Sequence, residues 1–326
     1  MAHARMLTLI LAASLLVPVA STAEPSLGYP TQSVRIVVPF AAGGPADVIA
    51  RLLAQPLNQS LGKPFIVENH PGAGGNIGIG LVAKSPPDGH TMLVVTSSLV
   101  VNPSLYSKVP YDVFNDLAPV TLVAVSSMVL VAHPSLQANS VKELVDRIKS
   151  RGSKGTIGSP GAGTTGHLAA EMFKRALKLD LVHVPFNGAA PALNAVLAGH
   201  VPLAMVASPP AVPHIKAGTL RALAVTAEKR SPILPDVPTM AEAGVPGDQV
   251  SEVMLGVLVQ GQTPRSIIDR LQRHVANAIG QPDIRKRLDV MGFEPVANTP
   301  DQFAARIKTE VPRWAKVIQD AGIERQ

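Results

Sequence analysis

The sequence predicts an open α/β fold, from three observations. A β-branched run, Val34–Val38, is written as a buried strand and is stopped by Pro39. Gly43-Gly44 then gives a turn, and Pro45 with Asp47 marks a helix start. The same order of strand, glycine turn and helix returns several times along the chain, which is the pattern of a sheet flanked by helices with ligands at the carboxyl ends of its strands.

The chain has 326 residues, of which 46% are hydrophobic and 3% aromatic, with 26 Gly and 30 Pro. The core must therefore be aliphatic and the loops numerous. Residues 1–23 place Arg5 before an apolar run and end in Ser21-Thr22-Ala23, the form of a secretory signal peptide cut after Ala23. The run is too short to span a bilayer, and Pro18 interrupts its end. About 300 residues remain after the cut, enough for one large or two medium domains. Without cysteine there is no lipid-modified thiol, no disulfide and no thiolate metal site. The formal charge is +6, and loss of Arg5 leaves +5. The charges are scattered without aromatic interleaving, which suits small anions and lacks the basic stripe of a nucleic-acid protein.

In chain order, the first helix is expected to stop near Pro56. Residues 65–68 form a short strand running into Pro71-Gly72-Ala73-Gly74-Gly75-Asn76, and residues 76–84 a helix. Residues 91–95, 120–125 and 128–132 read as strands, the last two separated by Ser126-Ser127. Residues 140–150 form an amphipathic helix with Ser140 as N-cap and Glu143 completing a capping box. Then 155–158, 181–184, 201–206 and 220–225 read as strands. Residues 166–177 and 191–198 read as helices, the second closed by Gly199. After a strand over 254–259, residues 264–280 and 301–321 read as surface helices. No solenoid-length repeat or low-complexity tract is present.

Several catalytic signatures fail. Gly161-Ala162-Gly163-Thr164-Thr165-Gly166 matches GxGxxG, but no acidic residue ends the next strand, and Asp180 precedes it. There is no P-loop, Ser159 is not in a Gly-x-Ser-x-Gly elbow, and the nine histidines lack metal spacing. His167 is read either as a capping residue or as a ligand contact. The segments 40–47, 71–80, 96–98, 159–167 and 186–191 contain no Lys or Arg. If they converge, they bind an anion through backbone N–H groups, hydroxyls and helix dipoles. Taken singly, each is equally a tight βα turn.

Ordered motifs then point to a family. They are Val37-Val38-Pro39-Phe40-Ala41-Ala42-Gly43-Gly44 with Asp47, Val67-Glu68-Asn69 into Pro71-Gly72-Ala73-Gly74-Gly75-Asn76-Ile77-Gly78, and Pro87-Asp88-Gly89. Asn102-Pro103-Ser104-Leu105-Tyr106, Val182-His183-Val184-Pro185-Phe186, Arg221-Ala222-Leu223-Ala224-Val225-Thr226 and Leu234-Pro235-Asp236-Val237-Pro238-Thr239 follow. From Tyr29-Pro30 onward the chain resembles the Bug family, the TctC-like extracytoplasmic receptors of tripartite tricarboxylate transporters.

That resemblance implies a type II periplasmic-binding-protein fold: two α/β domains, a central cleft and two hinge crossings. The implied domains are 24–126 with 253–326, and 127–252, crossing near 125–128 and 252–254. The implied ligand set is Phe40, Gly43, Gly44 and Asp47, then Gly75, Asn76, Thr96 and Ser97 from the first domain. From the second it is Ser159, Gly163, Thr164, Thr165, His167, Phe186, Asn187, Gly188, Ala189 and Ser208. Asp47 is expected to hold a water or a loop N–H rather than the ligand. Pro202 and Ala207-Ser208 stand where relatives carry acids, which favours a carboxylic acid without an α-amino group, and Val253-Met254 stands where relatives often carry an aromatic, so no stacking contact is expected there. The expectation is a monomeric periplasmic receptor for a small carboxylate that docks with a membrane permease, with no cofactor, no metal, no nucleic acid and no catalysis. Alternatives are a ligand-presenting sensor protein or an exported α/β enzyme.

Overall fold

The computed structural model describes residues 28–150, 155–247, 249, 251–320 and 322–325, so the expected signal peptide lies outside the described residues. The chain runs β1 (Val34–Val38), α1 (Pro45–Leu61), β2 (Phe65–Asn69), α2 (Asn76–Ala83), β3 (Thr91–Val95), α3 (Ser98–Leu105) and β4 (Leu117–Ala132). It continues α4 (Val141–Ser150), β5 (Gly155–Ser159), α5 (Thr165–Ala176), β6 (Leu181–Pro185), α6 (Ala189–Leu197), β7 (Leu203–Ala207), α7 (Ser208–Lys216) and β8 (Arg221–Val225). It ends with β9 (Glu252–Gln260), α8 (Arg265–Gly280), α9 (Pro282–Met291), β10 (Glu294–Pro295) and α10 (Pro300–Asp320).

The strand order is β2-β1-β3-β9-β4-β7-β5-β6, with β8 and β10 also on β4. β1 pairs in parallel with β2 and β3, and β5 with β6 and β7. β4 is antiparallel to β9 and β7. Two parallel α/β halves are thus joined through one long strand. β1 shows why both faces must be covered: Val34, Ile36 and Val38 pack in one apolar cluster with Ile49, Leu53 and Leu57 of α1. Val37 points to the other face, with Ile79 and Val82 of α2.

β4 is one continuous strand, where the sequence suggested two segments parted by Ser126-Ser127. Ser126 and Ser127 complete the ladder to Val253 and Glu252 of β9, and the next residue, Met128, already pairs with Ala207 of β7. The serines are the handover between the halves rather than a break. Thr226 ties the two crossing strands there. Its N–H donates to Met128 O (3.0 Å), and its Oγ1 accepts from Met128 N (3.0 Å) and donates to Ser251 O (2.6 Å).

Pro56 does not stop α1, which runs on to Leu61. A proline there removes one helical hydrogen bond. The buried stripe of Leu53, Leu57 and Leu61 continues through it and outweighs the loss. α3, α7 and α9 are additional to the helices read from sequence. α7 and α9 begin with proline in the first turn, where no N–H is needed, and α3 carries Pro103 inside. The Ser140–Glu143 cap forms: Glu143 N donates to Ser140 Oγ (3.1 Å), while the Glu143 carboxylate reaches Asn139 N (2.8 Å). α10 is less a surface helix than expected, since Phe303, Ile307, Trp314 and Ile318 are buried.

Candidate functional site

Each half contributes loops that follow parallel strands, and they meet over the β4 crossing. In the first half, Gly43 takes φ +83°, and its N–H donates to Asp47 Oδ2 (2.9 Å). Asp47 is 3% exposed. It also accepts from Arg51 Nε (2.9 Å) and Nη2 (2.9 Å) and from Asn69 Nδ2 (2.9 Å), which in turn donates to Phe40 O (2.9 Å). Burial acts to raise the Asp47 pKa, but the hydrogen bonds from Arg51, Gly43 and Asn69 outweigh it and hold the carboxyl below its ordinary value. Asp47 is therefore an anchor of the 40–44 loop, with its charge already matched.

In the second half, Thr164 caps α5: its Oγ1 accepts from His167 N (3.3 Å) and donates to Gly161 O (2.7 Å). Behind this loop, Ser159 Oγ and His183 Nε2 share a 2.6 Å hydrogen bond, and His183 stacks on His167 with ring centroids 4.2 Å apart. His167 Nδ1 accepts the Gly163 N–H at 3.4 Å. Burial pushes both imidazoles down to about 4, so both are neutral at pH 7. The Ser159–His183 pair resembles a nucleophile and its base, but Ser159 is fully buried behind the loop.

The halves touch directly on both sides of the space between them. Ala41 N donates to Asn187 O (3.1 Å), and Tyr106 Oη donates to Ala162 O (3.1 Å). Several glycines permit this approach. A Cβ on Gly74 would collide with Ala162 O, and one on Gly163 with Asn102 Oδ1.

Between these contacts lies a narrow cleft of about 30 Å³. Phe40, Gly44, Pro45, Ala46 and Thr96 line it from the first half, and Pro160, Thr164, Thr165, Gly166 and Ala189 from the second. Met128 of β4 and Val253 of β9, from the crossing strands, and Ala207 at the end of β7 complete the lining. No lining residue carries a charge. The N-termini of α1, α5 and α6 all open onto it, and first-turn N–H groups have no partner within a helix. Thr165 is 3% exposed, and its Oγ1 has no hydrogen-bond partner.

The structure thus brings Phe40, Gly44, Thr96, Thr164, Thr165 and Ala189 of the expected set to the cleft surface. Others stand behind it. Gly75 sits against the Phe40 ring, and Asn76 Oδ1 accepts from Asn102 (2.7 Å) and Tyr111 (2.9 Å). Ser97 Oγ accepts from Met254 N (2.9 Å) and donates to Glu252 O (3.2 Å), fixing the start of β9. The Phe186 ring covers Gly158, Gly188 abuts Ala41, and Ser208 Oγ donates to Ser127 O (3.0 Å). Pro45, Ala46, Pro160 and Gly166 flank the glycine turns and were reachable from them. Met128, Ala207 and Val253 lie at the expected crossings and at positions singled out through the resemblance, but their own side chains give no sign of a cleft, because an apolar residue in a strand reads as core.

Comparison with known proteins fits this geometry. A family model described as "Tripartite tricarboxylate transporter family receptor" (TctC) matches residues 49–323. The chain belongs to that family. BugT of Bordetella pertussis strain Tohama I is 38% identical over 296 residues, 90% of each chain. The periplasmic binding protein BugD superposes with a TM-score of 0.88 at 35% identity, over 91% of this chain and all of that one. MatC of Rhodopseudomonas palustris, solved with malate, superposes with a TM-score of 0.84 at 33% identity, over 89% of this chain and 100% of MatC. An R. palustris relative solved with adipate gives 0.88 at 35%, over 91% and 100%. The TctC fold is that of a type II periplasmic binding protein, and the chain is a solute-binding receptor, not an enzyme.

Proposed function

We propose that this receptor closes over one small carboxylic acid and delivers it to a permease of the tripartite tricarboxylate type. The supporting observation is the set of donors around the cleft: three helix N-termini and the unpaired Thr165 hydroxyl, with no lining charge. A carboxylate accepts such N–H groups strongly, and the helix dipoles favour its charge. Neutral donors hold the ion without a clamping guanidinium, which suits capture and release. MatC was solved with malate and the other R. palustris relative with adipate, both carboxylic acids, and this chain shares their fold at 33% and 35% identity.

On this reading, 24–126 with 253–326 and 127–252 are the two moving bodies, and the hinge is the pair of crossings at Ser127–Met128 and Glu252–Val253. The protein is exported by a signal peptide cut after Ala23 and works as a periplasmic monomer. The ligand stabilises the closed form because only there do both sets of donors reach it. Calorimetric titration with carboxylic acids and their primary amides tests this, together with small-angle scattering. Acids should bind with a decrease in radius of gyration, and amides should not. Equal binding of an acid and its amide, or no binding by any acid, would refute it.

A further inference from the structure

Resting on the carboxylate reading, we infer that the hydroxyls of Ser126 and Ser251 form a second ligand subsite at the hinge. It takes one neutral oxygen on the ligand body, a hydroxyl or a carbonyl, so the solute is a hydroxy or oxo acid.

Strand register places the two serines. Ser126 of β4 pairs with Val253 of β9, and directly opposed residues share a face. Met128 lies two residues after Ser126, and Ser251 two residues before Val253, so alternation puts all four on that face. The apolar clusters agree: Met128 and Val253 pack with Ala124 and Leu255, whereas Val125 and Met254 belong to the other side. Met128 and Val253 line the cleft. The serines are the other two corners of the same patch.

Both serines are buried, at 2% and 0% exposure, and neither hydroxyl has a hydrogen-bond partner among the described residues. Buried polar groups are seldom left unmatched. The neighbouring hinge hydroxyls are matched: Ser127 and Ser208 bond to each other (3.0 Å), Thr226 bonds Met128 N and Ser251 O, and Ser97 bonds Met254 N and Glu252 O. Two donors are therefore left over at the place where the halves hinge.

The cleft explains how a ligand reaches them. Its volume of about 30 Å³ has space for roughly two water-sized groups, which a carboxylate at the helix starts fills. The body of the acid must then displace protein. Met128 is the lining side chain best able to move, because its unbranched thioether turns about three bonds. Its methyl group lies against Gly166 at the start of α5. Turning it aside opens the strand face to the ligand.

Chemistry selects the group that binds there. A ligand hydroxyl can accept from one serine and donate to the other, and a carbonyl can accept from both. A second carboxylate would meet no Lys, Arg or His in the lining, and two hydroxyls do not offset its desolvation. α7 starts beside Ala207, but Pro209 and Pro210 remove two N–H groups from its first turn.

Calorimetry on matched acids tests this: propionate with lactate and pyruvate, butyrate with 3-hydroxybutyrate, succinate with malate, and glutarate with 2-hydroxyglutarate and 2-oxoglutarate. In at least one set the hydroxy or oxo acid should bind about tenfold more tightly than its parent. Ser126→Ala and Ser251→Ala should each remove most of that advantage and leave the parent acid's affinity within about twofold. The unliganded variants should be as stable as the wild type or more stable, which a structural hydroxyl would not allow. If either variant folds poorly, the wild-type sets still decide. Parent acids binding as tightly as their hydroxy and oxo forms in every set would overturn the inference, as would serine variants that weaken both forms alike. Succinate binding more tightly than both butyrate and malate, and losing most in the serine variants, would assign the subsite to a second carboxylate instead. Each of these leaves the carboxylate reading standing, whereas silence from every acid removes both.

Discussion

The phenol of Tyr106, just past the end of α3, donates a 3.1 Å hydrogen bond to the carbonyl of Ala162 in the loop before α5. It joins the two halves outside the cleft, so it strengthens closure without touching a bound acid. Tyr106→Phe keeps the ring and removes the bond. A net hydrogen bond is worth about 0.5–1.5 kcal/mol, so ligand affinity should fall by roughly two- to tenfold. The thermal midpoint of the unliganded protein should change little. An unchanged dissociation constant would mean the bond is absent from the liganded form.

The same carbonyl leaves no room for a side chain on Gly74. Gly74→Ala should hold the halves apart and weaken binding by at least about tenfold, because only the closed fraction binds tightly. Gly74 also has φ +62°, which alone strains alanine. Gly62→Ala is the matched control: φ is +70°, and nothing lies within 4 Å of its would-be Cβ. Both variants should lose about 1 kcal/mol of stability, but only Gly74→Ala should lose affinity. Equal affinities in the two would show that the contact does not govern closure.

How much of this was legible in sequence differs by element. The segment from Val34 to Arg51 could be read almost outright, because β-branching, two glycines and a first-turn proline each have one physical meaning there. Pro56 misled, since propensity is local and the stripe that overrides it is tertiary. α7 was hidden because Ser208-Pro209-Pro210 reads as loop until the fold shows both prolines in a first turn. The glycine turns could be placed on the cleft from their own chemistry, whereas the crossing strands could be placed there only through the resemblance. Met128 and Val253 resemble any other core residue until the crossing of β4 and β9 sets them beneath the loops. Ser97 has the chemistry of a ligand donor, and only tertiary structure shows its hydroxyl bound to β9.

Stability should fall in mild acid through His167 and His183. Burial holds both at about 4 in the folded state, against an ordinary value of 6.5. Above pH 6.5 both states are neutral and the full stability is present. Between 6.5 and 4 the unfolded chain binds protons that the folded one excludes, so stability drops as pH falls and levels below 4. Glu171 opposes this shift at His183, while Lys174 and the neighbouring imidazole reinforce it. Thermal midpoints from pH 7.5 to 4 should decline across that window, and His183→Gln should flatten the decline. An identical slope in the variant would assign the acid sensitivity to other groups.

Thr165→Val separates a ligand contact from a structural one. The Thr165 hydroxyl is buried and unpaired, and an unsatisfied buried polar group costs about 1–3 kcal/mol. Valine has nearly the same shape and removes that cost, so the unliganded variant should be as stable as the parent or more stable. If the hydroxyl meets the ligand carboxylate, the same change should weaken binding by about tenfold. The two readouts move in opposite directions, which no loss of packing can imitate. A variant with both lower stability and weaker binding would place the hydroxyl in a structural role. Higher stability with unchanged affinity would remove Thr165 from the ligand site.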